Sequence, residues 1–493
     1  MAFVANIHAL ARHGLVRGSV ASLRQGGAAV LRGGLEARGT KCVGQHPDRR
    51  AASLFSVFGR DWFTGVGRNL PSKVEMTAGC FKPISSIMSR KAYSTQAAPK
   101  GEKDRRFVSV SRDDSAGQYR VEFSSGPVGV YPYVWMRDNC RCPDCYHPSS
   151  WQRASSITDL DPDVVPSSEE LVDEGSVLRV VWPDQHSSDF QAAWLNRQRF
   201  SESEKDKVGS PELQTFGGEL NGRIPTFDFR RLLEEDKELY NWLDVLNVKG
   251  LALVNGAPIR QGALEELAEK VAYTKTTNYG KTFQVFSKQE ASNLAFTPKA
   301  LLLHIDLPYY NYTPGIQMLH CIEQTSDASG GASQFVDGLQ VAEQVRQEFP
   351  EIYQTLRTVE VDFRDKGSDY YVYHLKQRRP IIQYNKHGEF MCVNFNDHVR
   401  APYMSLPVEK VKEMYKAMKV FEEVMYRPGN LVEQKLGAGE IATFSNGRVL
   451  HGRSSFIVTK AGRRHLEGAF MDWDEAHSRM RILRETLFGD EPL

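Results

Sequence analysis

The sequence predicts a mainly β protein with flanking helices: a double-stranded β-helix (jelly-roll) domain preceded by a smaller β-rich domain. Two observations predict it. From about residue 226 onward, short strand patterns return between turns with amphipathic helices among them, as in a sheet sandwich that packs helices on its outside. Ahead of that, short alternating strands surround Cys140-Arg141-Cys142-Pro143-Asp144-Cys145, where three thiols in six residues suit a metal knot.

With 493 residues the chain has room for two or three domains. Its composition is globular, 41% hydrophobic and 25% charged with a formal net charge of +1. No run approaches the roughly 20 apolar residues of a bilayer-spanning helix. Residues 1–100 hold 15 Lys and Arg against 4 Asp and Glu, so the remainder is net acidic. An acidic body argues against nucleic acid, whose binding needs clustered Lys and Arg. Seven cysteines, odd in number and clustered, point to metal ligation in a reducing compartment rather than a disulfide framework.

Met1 to Arg32 has four arginines, no acidic residue, and Phe3, Ile7, Leu10 and Leu15 near helical spacing. That is the pattern of an organelle transit peptide, so residues 1–95 are expected to be a mitochondrial leader, with processing near Arg90-Lys91-Ala92-Tyr93-Ser94. The matrix is the expected location, the cytoplasm the alternative.

The first module is expected over 104–205. Phe107, Val108, Val110 and Tyr119, Val121, Phe123 alternate as strands do. Cys140, Cys142 and Cys145 would hold a structural zinc ion with a fourth ligand. His147 is nearest, but His186, after the strand-like run to Val181, is the choice. Residues 197–225 are polar and read as a linker or surface excursion.

The main module is expected over 226–493. Phe229, Leu232, Leu233, Tyr240, Leu243 and Leu246 mark one helix, stopped at Gly250, and residues 261–274 a second. Val341–Leu356 and Val408–Val424 are helical by spacing, the latter with a core stripe of Val411, Met414, Tyr415, Met418 and Phe421. Strands are expected at 251–254, 316–320, 359–363, 381–384, 391–395, 440–444 and 465–470. The run Leu301-Leu302-Leu303-His304-Ile305-Asp306 reads as a buried strand whose end projects His304 and Asp306 to one face. His451, at the end of another strand-like run, completes two imidazoles and one carboxylate. This set leaves three positions of an ion open, as in non-haem Fe(II) oxygenases. Arg464 follows on a third apolar segment.

Several segments carry a resemblance. Trp135-Met136-Arg137-Asp138-Asn139-Cys140, Trp182-Pro183-Asp184-Gln185-His186, Val449-Leu450-His451-Gly452-Arg453 and Arg464-His465-Leu466-Glu467-Gly468-Ala469-Phe470-Met471-Asp472-Trp473-Asp474 occur in that order. From about 105 to 490 the chain resembles the γ-butyrobetaine dioxygenase and trimethyllysine dioxygenase family of 2-oxoglutarate-dependent Fe(II) oxygenases. The last segment, with Val336-Asp337-Gly338, looks more like the γ-butyrobetaine side of that family. The resemblance implies Fe(II) on His304, Asp306 and His451, and 2-oxoglutarate on Arg464, with Asn293 and the backbone near Leu319 assisting. It implies a substrate carboxylate on Asn396 and a trimethylammonium group among Tyr279, Phe283, Phe296 and Phe470. It further implies O2 as reactant, succinate and CO2 as products, structural zinc, support by ascorbate, and a homodimer.

The sequence departs from the family where Phe283, Phe296 and Phe470 stand for Trp, Tyr and Tyr. It departs again at Ser445-Asn446-Gly447, where Asp-Asn-Trp is usual, and at Leu307, where an aromatic residue is usual. Hydroxylation of γ-butyrobetaine to L-carnitine is the leading expectation. Hydroxylation of trimethyllysine or another betaine-like or amino-acid substrate is the alternative. A zinc-bearing scaffold with a vestigial iron site is opposed by the intact triad and Arg464, and a zinc hydrolase by the absence of a His-Glu-x-x-His motif.

Overall fold

Period-two burial builds the N-terminal module. Tyr119, Val121 and Phe123 are buried while Arg120 and Glu122 face water, so Gln118–Phe123 puts one face into a core. It pairs antiparallel with Phe107–Asp113 and Gly129–Pro132. A second antiparallel sheet, Ser168–Val172, Val177–Val181 and Ser187–Gln191, brings Leu178, Val180 and Phe190 to the same core, with Trp182 and Met136. The buried Trp182 indole donates to Ser188 Oγ at 2.8 Å, so its one polar atom is satisfied.

The structure, a computed structural model, describes residues 105–200, 206–286, 299–324, 330–456 and 464–489. These all belong to one unit, Arg90–Leu493. The expected leader, and with it Cys42 and Cys80, lies outside the described residues, as do Asn293 and Phe296.

Two large sheets frame the main module, which also carries two-stranded pairs at Glu360–Ser368 with Val372–Pro380 and at Ile382–Tyr384 with Phe390–Val393. One has six strands in the order Thr282–Phe286, Arg464–Met471, Ile316–Gln324, Ile441–Ser445, Leu251–Asn255, Thr226–Asp228. The other has four, Leu301–His304, Val449–Arg453, Ser333–Asp337, Val432–Gln434. Every pairing is antiparallel except that of the edge strand Thr226–Asp228. Leu251, Leu253, Val285, Phe335, Phe444, Val449 and Leu466 form a shared core from both sheets, with the rings of Phe335 and Phe444 5.4 Å apart. The outer face of the six-stranded sheet is covered by Asp236–Val248, Ala263–Val271 and Trp473–Phe488, that of the other by Gly338–Glu348 and Val408–Met425.

The sequence reading needs four corrections. The first expected helix is two, Phe229–Glu234 and Asp236–Val248, because Glu235 is extended inside the run Glu234-Glu235-Asp236-Lys237-Glu238, which has no apolar anchor. The helix expected over Val341–Leu356 breaks at Phe349, since Pro350 bars its predecessor from helical backbone. Leu301–His304 is only half buried: Leu303 is 1% exposed but Leu302 is 41% exposed. Finally, 206–225 is no linker. Val208, Phe216 and Ile224 enter the main-module cores, and Phe216 N donates to Asp337 Oδ2 at 3.1 Å. The polar composition there belongs to the side chains between these anchors.

Candidate active site

Strand pairing brings the triad together. His304 and His451 are direct partners across antiparallel strands, which puts their rings 4.4 Å apart. Asp306, two residues beyond His304, lies 3.2 Å from His304 Nε2 through one oxygen and 3.8 Å from His451 Nε2 through the other. Cis ligands about 2.1 Å from a transition metal are separated by about 3 Å, so these donors fit one face of an octahedron.

Each donor is in the form a cation needs. His304 Nδ1 donates to Leu302 O at 2.7 Å, which leaves Nε2 with its lone pair towards the other ligands. Burial, aided by the nearby His304, pushes His451 down to about 3 and keeps it neutral. Burial alone would raise Asp306, but the contacts of its carboxylate with His304, His451 and Gln317 outweigh it and hold it at about 2, so it is ionised.

Asp306 is held by residues the sequence reading gave no role. Gln317 donates to its carboxylate at 2.7 Å. Asn446, fully buried, accepts from Asp306 N at 2.8 Å and donates to Asp306 O at 2.9 Å and Pro314 O at 3.1 Å. Directly after Asp306, Leu307 has φ +60°, an uncommon backbone for a branched residue, and the clamp keeps the chain there. The only sequence signal was that Asn446 is the middle of an unusual triplet.

Gln317, Leu319 and Cys321 alternate along one face of Ile316–Gln324. Gln317 touches Asp306, and the Cys321 thiol lies close enough to Arg464 to interact with its charge. Leu319 thus sits between the triad and Arg464. Arg464 Nε is buried with no hydrogen-bond partner among the described residues, and burial lowers this guanidinium to about 10, still charged at neutral pH. Arg453 is close by: it stacks on Phe456 at 4.6 Å, Arg464 at 5.8 Å. A buried guanidinium with an unmatched donor fits a carboxylate ligand.

Beside the triad runs an aromatic row. Tyr279 and Phe283 rings are 5.5 Å apart, Phe283 and Phe470 rings 5.4 Å. Phe283 packs over Gly468, where any Cβ would collide with the ring. Tyr279, Phe283 and Phe470 pack in the cluster that contains Ile305 and Leu307 on either side of Asp306, so the row borders the triad carboxylate, whose charge with burial raises the Tyr279 phenol. Asn396 donates to Ile305 O at 3.0 Å and accepts from His398 N at 3.0 Å, which leaves one amide hydrogen for a ligand. His398, also without a sequence role, stands edge-on to His304 at 5.7 Å, its Nε2 buried and unpartnered among the described residues.

Cys140, Cys142, Cys145 and His186 form a second cluster. Helix Tyr133–Asp138 ends just before Cys140, and Cys145 N bonds Cys142 O at 3.2 Å to close the turn. His186 closes the turn between two strands, Trp182 N bonding its carbonyl at 2.8 Å. Its Nε2 is 3.3 Å from Cys140 Sγ and 3.5 Å from the other two sulfurs. A tetrahedron with bonds of about 2.0–2.3 Å has edges near 3.5 Å, the spacing found here. His147 is turned away, its Nδ1 accepting from Ser150 N at 3.3 Å.

Comparison with known proteins agrees with this chemistry. Residues 210–470 match the model of the taurine catabolism dioxygenase TauD, TfdA family, and residues 110–196 that of a γ-butyrobetaine hydroxylase-like N-terminal domain. The chain is 37% identical over 376 residues to γ-butyrobetaine dioxygenase of Homo sapiens, covering 76% of this chain and 96% of the human protein. It is 31% identical to the γ-butyrobetaine dioxygenase of Pseudomonas sp. strain AK-1, covering 74% of this chain and 93% of that protein. With the mitochondrial trimethyllysine dioxygenase of Bos taurus it shares 30% identity over 72% of this chain and 82% of the other.

Proposed function

This chain belongs to the TauD, TfdA family of dioxygenases, and from that premise we propose that it hydroxylates γ-butyrobetaine to L-carnitine with 2-oxoglutarate as cosubstrate. The observation that carries the substrate is the aromatic row of Tyr279, Phe283 and Phe470 bordering the triad carboxylate, a surface suited to a methylated ammonium group near the reacting centre.

In this reading His304, Asp306 and His451 hold Fe(II), a divalent ion that meets two neutral imidazoles and one carboxylate. Fe(II) with 2-oxoglutarate supplies the activation of O2 that an unreactive C–H bond requires, releasing succinate and CO2. Arg464 receives the far carboxylate of 2-oxoglutarate through its planar fork, with Leu319 and Asn293 alongside. Gln317 and Asn446 keep Asp306 in register so that the open face points at the substrate. Asn396 directs its free amide hydrogen to the substrate carboxylate, and the family resemblance adds Phe296 to the residues that bind the ammonium group. The two facing sheets are the jelly roll that carries these residues. The cluster of Cys140, Cys142, Cys145 and His186 holds structural zinc in the N-terminal domain, since it has no open position for a reaction. Ascorbate supports turnover, the chain forms a homodimer, and the arginine-rich leader directs it to the mitochondrial matrix.

Trimethyllysine is the second reading, favoured by the leader together with relatives that are named mitochondrial. Incubation of the purified protein with Fe(II), 2-oxoglutarate, ascorbate and either substrate, followed by measurement of succinate, decides between them. Succinate release coupled to γ-butyrobetaine above that with trimethyllysine supports the first reading, and the reverse order sinks it.

A further inference from the structure

Of the described rings beside Asp306, two are phenylalanines, and Trp is the strongest aromatic partner for a cation. The wall behind Tyr279 holds charge instead. Tyr309, 2% exposed, has its phenol within hydrogen-bonding reach of both the Tyr279 phenol and the Asp365 carboxylate. Tyr373 donates to Asp365 Oδ2 at 3.3 Å or to Asp369 Oδ2 at 3.0 Å. Asp365 Oδ1 accepts from Lys366 N at 2.9 Å, which fixes its carboxylate. Asp365 belongs to the hairpin of Glu360–Ser368 and Val372–Pro380. Tyr370 N at its tip donates to Asn278 O at 3.0 Å, so the hairpin is tied to the turn that carries Tyr279.

We propose that Asp365 is a specificity determinant for the cationic end of the substrate: its charge reaches the aromatic row through Tyr309 and Tyr279 and offsets the weaker π faces of the two phenylalanines. Burial raises the phenols of Tyr279, Tyr309 and Tyr373, and the charge of Asp365 raises all three further. They therefore stay neutral and add no charge of their own to that of the carboxylate. Asp369, which is exposed, contributes less because water screens it. The proposal rests on the row accepting a methylated ammonium group.

The experiment compares γ-butyrobetaine with its neutral isostere, tert-butyl in place of trimethylammonium, by succinate release from the wild-type chain, Asp365→Asn and Asp365→Glu. Asn keeps the shape and the bond from Lys366 N but removes one charge, its amide nitrogen facing Tyr373 as a donor. For one unit charge removed from a partly solvated wall, the ratio of kcat/KM for cationic over neutral substrate should fall about five-fold in Asp365→Asn. Asp365→Glu should restore most of the ratio. The ratio cancels any loss of folded enzyme, which lowers both substrates alike. An unchanged ratio in Asp365→Asn overturns the proposal while leaving the substrate assignment intact. A wild-type chain that does not prefer the cationic substrate overturns the assignment itself, and the proposal with it.

Discussion

Asn446 shows how much of the site depends on single side chains outside the triad. Its amide joins the backbone on either side of the Asp306–Pro314 loop, and Asn446→Ala would leave the Asp306 amide and two carbonyls without those bonds. At about 1–3 kcal/mol for each buried group left unmatched, the variant should lose several degrees of thermal stability and bind Fe(II) more weakly. Calorimetry with and without added Fe(II) checks both, and an unchanged iron affinity would show that Leu307 holds the turn unaided. His304→Ala and Asp306→Ala remove ligands themselves, so succinate formation should disappear while circular dichroism stays near wild type. Arg464→Lys replaces a two-pronged contact by a point charge and should raise the 2-oxoglutarate KM about ten-fold or more. A KM that does not move would hand that role to another residue, with Arg453 the first to examine.

Single elements carry two further consequences. The turn from Cys140 to Cys145 meets the His186 hairpin through its three thiols, so Cys142→Ser or His186→Ala should release about one zinc per chain and lower stability. Metal analysis reads the zinc directly; full zinc content in either variant would refute the ligand set. The six-stranded sheet holds an acid-sensitive point. His320 is fully buried with both ring nitrogens unpartnered among the described residues, and burial, helped by the charge of His465, depresses it from 6.5 to about 4. The unfolded chain takes up this proton first, so the stability contribution is complete above pH 6.5 and falls as the pH drops towards 4. The slope approaches about 1.4 kcal/mol per pH unit within that window. Denaturant titrations at pH 7 and pH 5 should show the loss, and His320→Leu should flatten it.

At the scale of the whole chain, every buried cluster among the described residues lies between Phe107 and Leu483, so a chain begun at residue 96 should fold and release succinate at the full-length rate. A truncated chain that aggregates would assign residues 1–95 a folding role. The sequence by itself singled out both candidate donor sets that the fold brings together, because chemistry restricts such positions to His, Asp and Cys, and short spacings such as His304-x-Asp306 survive without knowledge of the fold. It also determined most strands and the long helix Val408–Met425, whose apolar spacing is unbroken. Only the tertiary structure decided which distant residues support those donors. Gln317, Asn446 and His398 are polar residues with no pattern of their own, and they reach the site because strand register and the turns that leave the strands bring them there. The same holds for residues 206–225. Polar composition read as a linker, but a few apolar anchors suffice to bury a segment once a core stands ready to receive them, and local periodicity cannot see that core.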